Sequence, residues 1–200
     1  KTLQLMSALA LFFCGLNLSA QNAPKVTTKN VKGAAITIID SQYHFPYDIS
    51  DNKQHVAIQA FGESQSFYWS ESTGLIEIVG TVFAVSDDGI VAGYYPNNEG
   101  VSVAGLWYPD MQQWQFLGMN PDYPEFFVDN PDYNGAWAMS NDGFHVGVMQ
   151  FAADWSTTTY IWSPNEGYTQ LPNGSNTQTR PNGMSADGSV VGGHGTDGIG

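Results

Sequence analysis

Apolar residues come along this chain in short bursts, each cut off by a polar turn that usually carries glycine. From Phe83 to Gly118 the bursts read "FAVS", "IVAGYY", "VSVAGLWY" and "QQWQFLG". Runs of this length, rich in Val, Ile, Tyr and Trp and bounded by turn residues, predict strands. The "DDG" between the first two runs predicts a tight hairpin turn, because Gly accepts positive φ and Asp tolerates it. The same order returns as "HVAIQAF", "SQSFYWS", "LIEIVG" and as "HVGVMQF", "TTTYIWS", "GYTQLP". Long apolar stripes at helical spacing are absent from the body of the chain.

One phrase marks the start of each group: "DISDNKQHVA", "AVSDDGIVAG", "AMSNDGFHVG" and "GMSADGSVVG", with serines at 50, 86, 140 and 185. The intervals are 36, 54 and 45 residues. The distance from each of the first three serines to the next strand tryptophan is nearly constant, at 19, 21 and 22 residues to Trp69, Trp107 and Trp162. Length therefore varies in the second half of each unit, as loops do. Four antiparallel strands in about 45 residues is the size of a β-propeller blade. A lone four-stranded sheet cannot bury both faces, and stacked blades can. The fold class expected is an all-β propeller with about three and a half blades visible over residues 34–200. Trp69, Trp107 and Trp162 are expected in the inter-blade core, and Gly93, Gly147 and Gly192 where backbones approach closely. The serines are expected to bond their own turns.

These phrases resemble the HAF-repeat family of extracellular proteins. The resemblance rests on "AGLWYP", "QFLG" and "FAVSDDGIVAG", the last repeated in "WAMSNDGFHVG" and "NGMSADGSVVG", and covers roughly Asp48 to Gly200. Serine stands at 50, 86, 140 and 185 where asparagine is common in the family, and Lys53 replaces the turn glycine of the first copy. The resemblance implies a secreted propeller domain and carries over no catalytic residues.

The first 20 residues, with one lysine, an apolar stretch from Leu3 to Leu16 and small residues before Gln21, read as a signal peptide, with a loose linker over 21–33. The apolar stretch is short for a membrane span, and Phe13 argues against lipidation at Cys14. "AAITIID" resembles an outer strand without its own blade. The fourth copy stops at "GGHGTDGIG" before any Trp strand, so the sequence reads as the front part of a longer chain, with a four-bladed closure as the alternative.

Composition narrows the function without naming it. Charged residues are 12% and aromatics 14%, with a formal net charge of −13. Such a chain repels phosphate backbones, which argues against nucleic-acid partners. The insertion Met119–Gly135 holds a doublet, "NPDYP" and "NPDYN". Tyr123, Phe126, Phe127 and Tyr133 are its candidate ligand contacts, to a protein or glycan on the loop face. Asn130, Asp132 and Asn134 fit the opening of a Ca²⁺ loop, although Asn141 stands where a bidentate Glu should be. Without that calcium no cofactor is expected. His55 and His145 share a repeat position with Val91 and Val190, which suggests a packed slot more than a metal site. His194 is expected in an exposed polar loop. A Ser140–Asp142–His145 triad can be written, but the other serines recur without it. The leading expectation is a secreted or cell-surface binding or scaffold module with no catalytic residues. The alternative is a hydrolase or lyase using Asp87, Asp88, Asp142 and Asp187 around the channel.

Overall fold

The computed structural model describes residues 24–31, 34–40, 44–60, 65–98, 100–122, 134–152, 154, 156–174, 176 and 178–196. The signal-peptide expectation for residues 1–20 lies outside them. The chain divides into two compact units, residues 1–45 and 46–200.

In the first unit, β1 (Lys25–Val31) pairs antiparallel with β2 (Ala34–Asp40), from Lys25 opposite Asp40 to Val31 opposite Ala34. This corrects one expectation: much of the supposed linker over 21–33 is strand. The run "AAITIID" is a strand outside the four-stranded sheets, and β1 is its partner. The run "KVTTKNV" is dense in β-branched residues, which favour the pleated conformation despite its polarity.

The second unit is an incomplete β-propeller. Its blades are β3 (His44–Ile49), which begins two residues before the unit, with β4 (His55–Ala60), β5 (Gln65–Ser70) and β6 (Gly74–Val79); then β7 (Thr81–Val85), β8 (Val91–Pro96), β9 (Ser102–Tyr108) and β10 (Gln113–Phe116); then β11 (Gly135–Met139), β12 (Val146–Phe151), β13 (Thr157–Ser163) and β14 (Gly167–Gln170). Each of these sheets has its strands in sequence order, antiparallel throughout the registered pairs. A fourth sheet holds β15 (Gln178–Met184) and β16 (Val191–Thr196). The strands and turns fall where the repeat places them.

The phrase is a hairpin between the first and second strands of each blade. Ser50, Ser86, Ser140 and Ser185 each accept, at Oγ, an N–H at the entry to the second strand, from its first residue His55 (3.1 Å) or from the residue just before it, Ile90 (3.0 Å), His145 (2.9 Å) and Val190 (2.9 Å). The second turn is therefore one residue shorter than the others. Ile90, not Val91, is the counterpart of His55 and His145. The offset also moves the glycines. Gly147 and Gly192 pair with Ala138 and Gly183, but Gly93 pairs with Val82, one step further on. Gly93 shares its place with Gly193, and a Cβ on either would lie about 2 Å from a carbonyl oxygen, of Thr81 or Arg180.

The same residues join the blades. His55 of the first blade packs on the turn of Gly89 in the second, Ile90 on Gly143 in the third, and His145 on Gly188 in the fourth. The joint explains a glycine at that point twice over: φ is +79°, +71° and +72°, and a Cβ would crowd the neighbour's side chain. Val190, at the same place in the fourth sheet, is 64% exposed.

Two apolar clusters fill the spaces between sheets. Tyr68 and Trp107 pack in one with Ala57, Val82 and Val91. Tyr160, Leu106, Ala92 and Val148 pack in the other, with Trp162 and Tyr168 against it. Removing such a ring from water stabilises by about 2–3 kcal/mol. The three tryptophans do share one register position, opposite Val56, Val91 and Val146. Only Trp107 is fully buried, at 2% exposure. Tyr68, on the alternate face of β5 from Trp69, turns toward the second blade, so Trp69 turns away from it and is half-buried.

Candidate functional site

The innermost strands are β3, β7, β11 and β15, and a pocket of about 190 Å³ opens between them. Each of the last three carries a bulge, at Phe83, Trp137 and Asn182. These residues stand three places before the phrase serine, and Tyr47 stands at that place in β3. A bulge turns the extra side chain out of the regular alternation, and all four of these residues line the pocket.

Three of them form a continuous aromatic wall. Phe83 stacks on Trp137, with centroids 3.8 Å apart and planes 17° apart, and Tyr47 meets Phe83 edge-on at 5.4 Å. Phe83 is buried, whereas Tyr47 is 40% exposed. The guanidinium carbon of Arg180 lies 4.6 Å from the centre of the Trp137 ring, a cation–π contact. Arg180 Nε also donates to Asn182 Oδ1 at 3.1 Å. The indole Nε1 of Trp137 is buried and has no hydrogen-bond partner.

The charged side chains lining the pocket are Asp48 and Asp51. Asp48 Oδ2 accepts the Val85 N–H at 2.8 Å, tying β3 to β7. Burial pushes the Asp48 carboxyl above the ordinary carboxylate range; the N–H groups of Val85 and Ile49 pull the other way, and the nearby Asp51 charge adds to the rise. At the mouth, the turns bond one another. Asn52 N–H donates to Asp87 Oδ1 (2.8 Å) and its Nδ2 to Asp87 O (2.7 Å). Asp87 N–H donates to Asn141 O (2.7 Å), and Asn141 N–H to Ala186 O (3.0 Å).

Of the candidates in the insertion, Tyr123, Phe126, Phe127, Asn130, Asp132 and Tyr133 lie outside the described residues. Asn134 is described, and its Oδ1 accepts the Phe151 N–H at 2.9 Å, fastening the end of β12. Among the described residues no cluster of three or more His, Cys, Asp or Glu side chains could hold a metal ion.

The serines, Asp87, Asp142, Asp187 and His55 have structural partners. Ser140 Oγ donates to Asp142 Oδ1 (2.6 Å) and accepts the His145 backbone N–H, so the imidazole takes no part in a triad. Asp187 repeats that turn with Ser185 (2.7 Å) and adds Ser189 (2.7 Å). The hydroxyl and backbone bonds hold the Asp187 carboxyl down at about 2 and hold Asp142 below its usual range. Asp87 is engaged with Asn52, and Asp88 is exposed. His55 Nδ1 bonds Tyr68 Oη at 2.6 Å, and His145 Nδ1 is buried without a partner in the blade joint. His194 is exposed, as expected, but in β16 rather than in a loop. Sequence reasoning missed the aromatic wall; its signal is Tyr, Phe and Trp three places before the serine in three successive copies, but the direction of Phe83 and Trp137 depends on the bulges.

No family model matches the chain, and no curated protein matches it. Solved structures do. A TolB-type protein of Agrobacterium tumefaciens aligns with 14% identity and a TM-score of 0.59, over 88% of this chain and 62% of its own. TolB of Acinetobacter baumannii aligns with 11% identity and a TM-score of 0.54, over 88% of this chain and 49% of its own. At such identities the likeness shows the propeller fold alone. The chain spans about half to three fifths of the length of these proteins. Among the described residues no helix is long and apolar enough to cross a membrane.

Proposed function

We propose that this chain is the binding and scaffolding part of a secreted or cell-surface propeller, and that it presents the axial pocket to a protein partner. The observation that carries this is the wall of Tyr47, Phe83 and Trp137, brought to one pocket from three different blades. Aromatic rings at a pocket mouth supply contact area at low entropic cost, and such rings are enriched at interfaces. A bulge at the same repeat position in the second, third and fourth sheets favours a site over accident, since a bulge interrupts the ladder it sits in.

The TolB-like neighbours support a binding role at the level of the fold only. Membership of the HAF-repeat family and export through the N-terminal segment belong to the same proposal, supported by the repeated phrase and by the apolar stretch before Gln21. Calcium in the insertion loop, and a ligand contact by its aromatics, are subsidiary proposals resting on residue types alone.

Peptide and glycan arrays probed with the full chain and with Tyr47→Ser test the binding role. Tyr47 is partly exposed, so the substitution spares the core. The expected result is retention on peptides, lost in the variant. Retention equal in both proteins, or on neither array, overturns the proposal. Expression with residues 1–20 in place should yield an exported product beginning at Gln21; retention of the whole segment in the cell overturns the export. A calcium titration followed by thermal melting should raise Tm if the loop binds the ion, and an unchanged Tm overturns that reading.

A further inference from the structure

The charge of the pocket and its rings together name a ligand. The geometry points to the axial pocket as the receptor for a cationic side chain of the partner, an arginine guanidinium or lysine ammonium. That group would sit between the carboxylates of Asp48 and Asp51 and the exposed ring of Tyr47 at the edge of the aromatic wall. This rests on the binding role proposed above and adds the chemistry of what is bound.

Four observations converge on it. First, the charged side chains lining the pocket are both carboxylates, set beside three aromatic rings. A carboxylate and an aromatic face are the two surfaces that hold a guanidinium, one by charge-assisted hydrogen bonds and the other through the ring quadrupole. Second, the Trp137 ring already carries a guanidinium, that of Arg180 at 4.6 Å, so the chain itself displays the contact. Third, Asp48 is fixed by the Val85 N–H while burial and the Asp51 charge disfavour its ionised form. An arriving cation restores the charge that the site disfavours when empty. Fourth, about 190 Å³ suits one long side chain and falls below the usual size of drug-like ligand pockets. The net charge of −13 adds long-range attraction for a basic partner.

The test is calorimetric titration of the full chain with three probes: a blocked Gly-Ser-Arg-Ser-Gly pentapeptide, the same peptide with citrulline for arginine, and agmatine. Citrulline keeps the shape of arginine and removes its charge. The arginine peptide should bind in the millimolar range and weaken as salt is raised, and citrulline should weaken it at least about tenfold. Agmatine should bind more weakly than the peptide, because it offers no backbone to the pocket rim. Asp48→Asn, which keeps an acceptor for Val85, and Asp51→Asn, which keeps one for Asn141, should each reduce binding of the arginine peptide several-fold with Tm preserved.

Equal binding of the citrulline peptide, abolished by Tyr47→Ser, would overturn the cationic ligand while leaving the binding role intact. Agmatine binding as tightly as the peptide would overturn the protein partner in favour of a free amine. No binding of any probe, together with blank arrays, would remove both. Undiminished binding in the two carboxamide variants would show that the carboxylates do not hold the ligand.

Discussion

Asn141 Nδ2 donates to Asp51 Oδ2 at 2.5 Å, although ninety positions separate the two residues. They occupy the same place in the repeat, one after the serine, in the third and first blades. The other turn-to-turn bonds join neighbouring blades; this one skips a blade and spans the mouth of the pocket. Asn141→Asp would replace the donor with a second carboxylate facing Asp51. Like charges at that separation cannot both ionise cheaply. The variant should lose about 1–2 kcal/mol near neutral pH, seen as a lower urea midpoint with an unchanged slope.

Much of this architecture is legible in the sequence. The phrase gives the hairpin, the serine role and the number of visible blades, because turn chemistry and strand alternation are local. Three things are not local. Ile90 rather than Val91 answers to His145 because the second turn closes one residue sooner, which shows in the bond of Ile90 N–H to Ser86 Oγ and in the pairing of Ala84 with Ala92. The direction of Phe83 and Trp137 rests on bulges, and these depend on how two strands register. The strand Lys25–Val31 is polar and lacks clean alternation, so it reads as linker until its partner Ala34–Asp40 is placed beside it.

Lys53 holds the left-handed conformation, φ +62°, at the point where the other turns have Gly89, Gly143 and Gly188. A residue with a Cβ pays roughly 1–2 kcal/mol there. Glycine in turn loses more freedom on folding, which offsets part of the gain. Lys53→Gly should therefore stabilise by about 0.5–1 kcal/mol. Lys53→Ala, which keeps the Cβ, should change stability by less than about 0.5 kcal/mol. Equal stabilisation by both variants would assign the effect to the lysine charge and not to the backbone.

Gly89 and Gly174 separate conformational cost from joint packing. Both have positive φ, +79° and +61°. A Cβ on Gly174 meets nothing within 4 Å, whereas on Gly89 it would stand 2.7 Å from Tyr68 Oη and 2.9 Å from His55 Nδ1. Gly174→Ala should cost about 1 kcal/mol, the backbone price alone. Gly89→Ala should cost about 3 kcal/mol, because the first blade must also give way. Equal costs, measured by chemical denaturation, would mean that the His55–Gly89 joint is soft.

The acid limb of the stability curve tests the turns as a set. Asp142 and Asp187 have folded pKa values below the ordinary 3.8, Asp187 at about 2, because the Ser140 hydroxyl bonds the first and the Ser185 and Ser189 hydroxyls bond the second. A depressed carboxylate contributes stability that is complete above its unfolded pKa and is lost as pH falls through the folded value. For Asp187 that window runs from about 4 down to about 2. Asp48 works in the opposite sense: its pKa is raised, so the folded state takes up the proton first and gains stability as pH falls toward 4. Asn52, at the same place in the first turn, accepts from Ser50 at 2.8 Å without titrating, which shows that a carboxamide can fill the position. The double variant Asp142→Asn, Asp187→Asn should fold normally near pH 7 and show a smaller fall in Tm between pH 4 and pH 2 than the parent. Asp48→Asn should lose the stabilisation that the parent gains as pH falls toward 4. Parallel Tm curves for all three proteins would mean that these carboxylates titrate alike in the folded and unfolded chains.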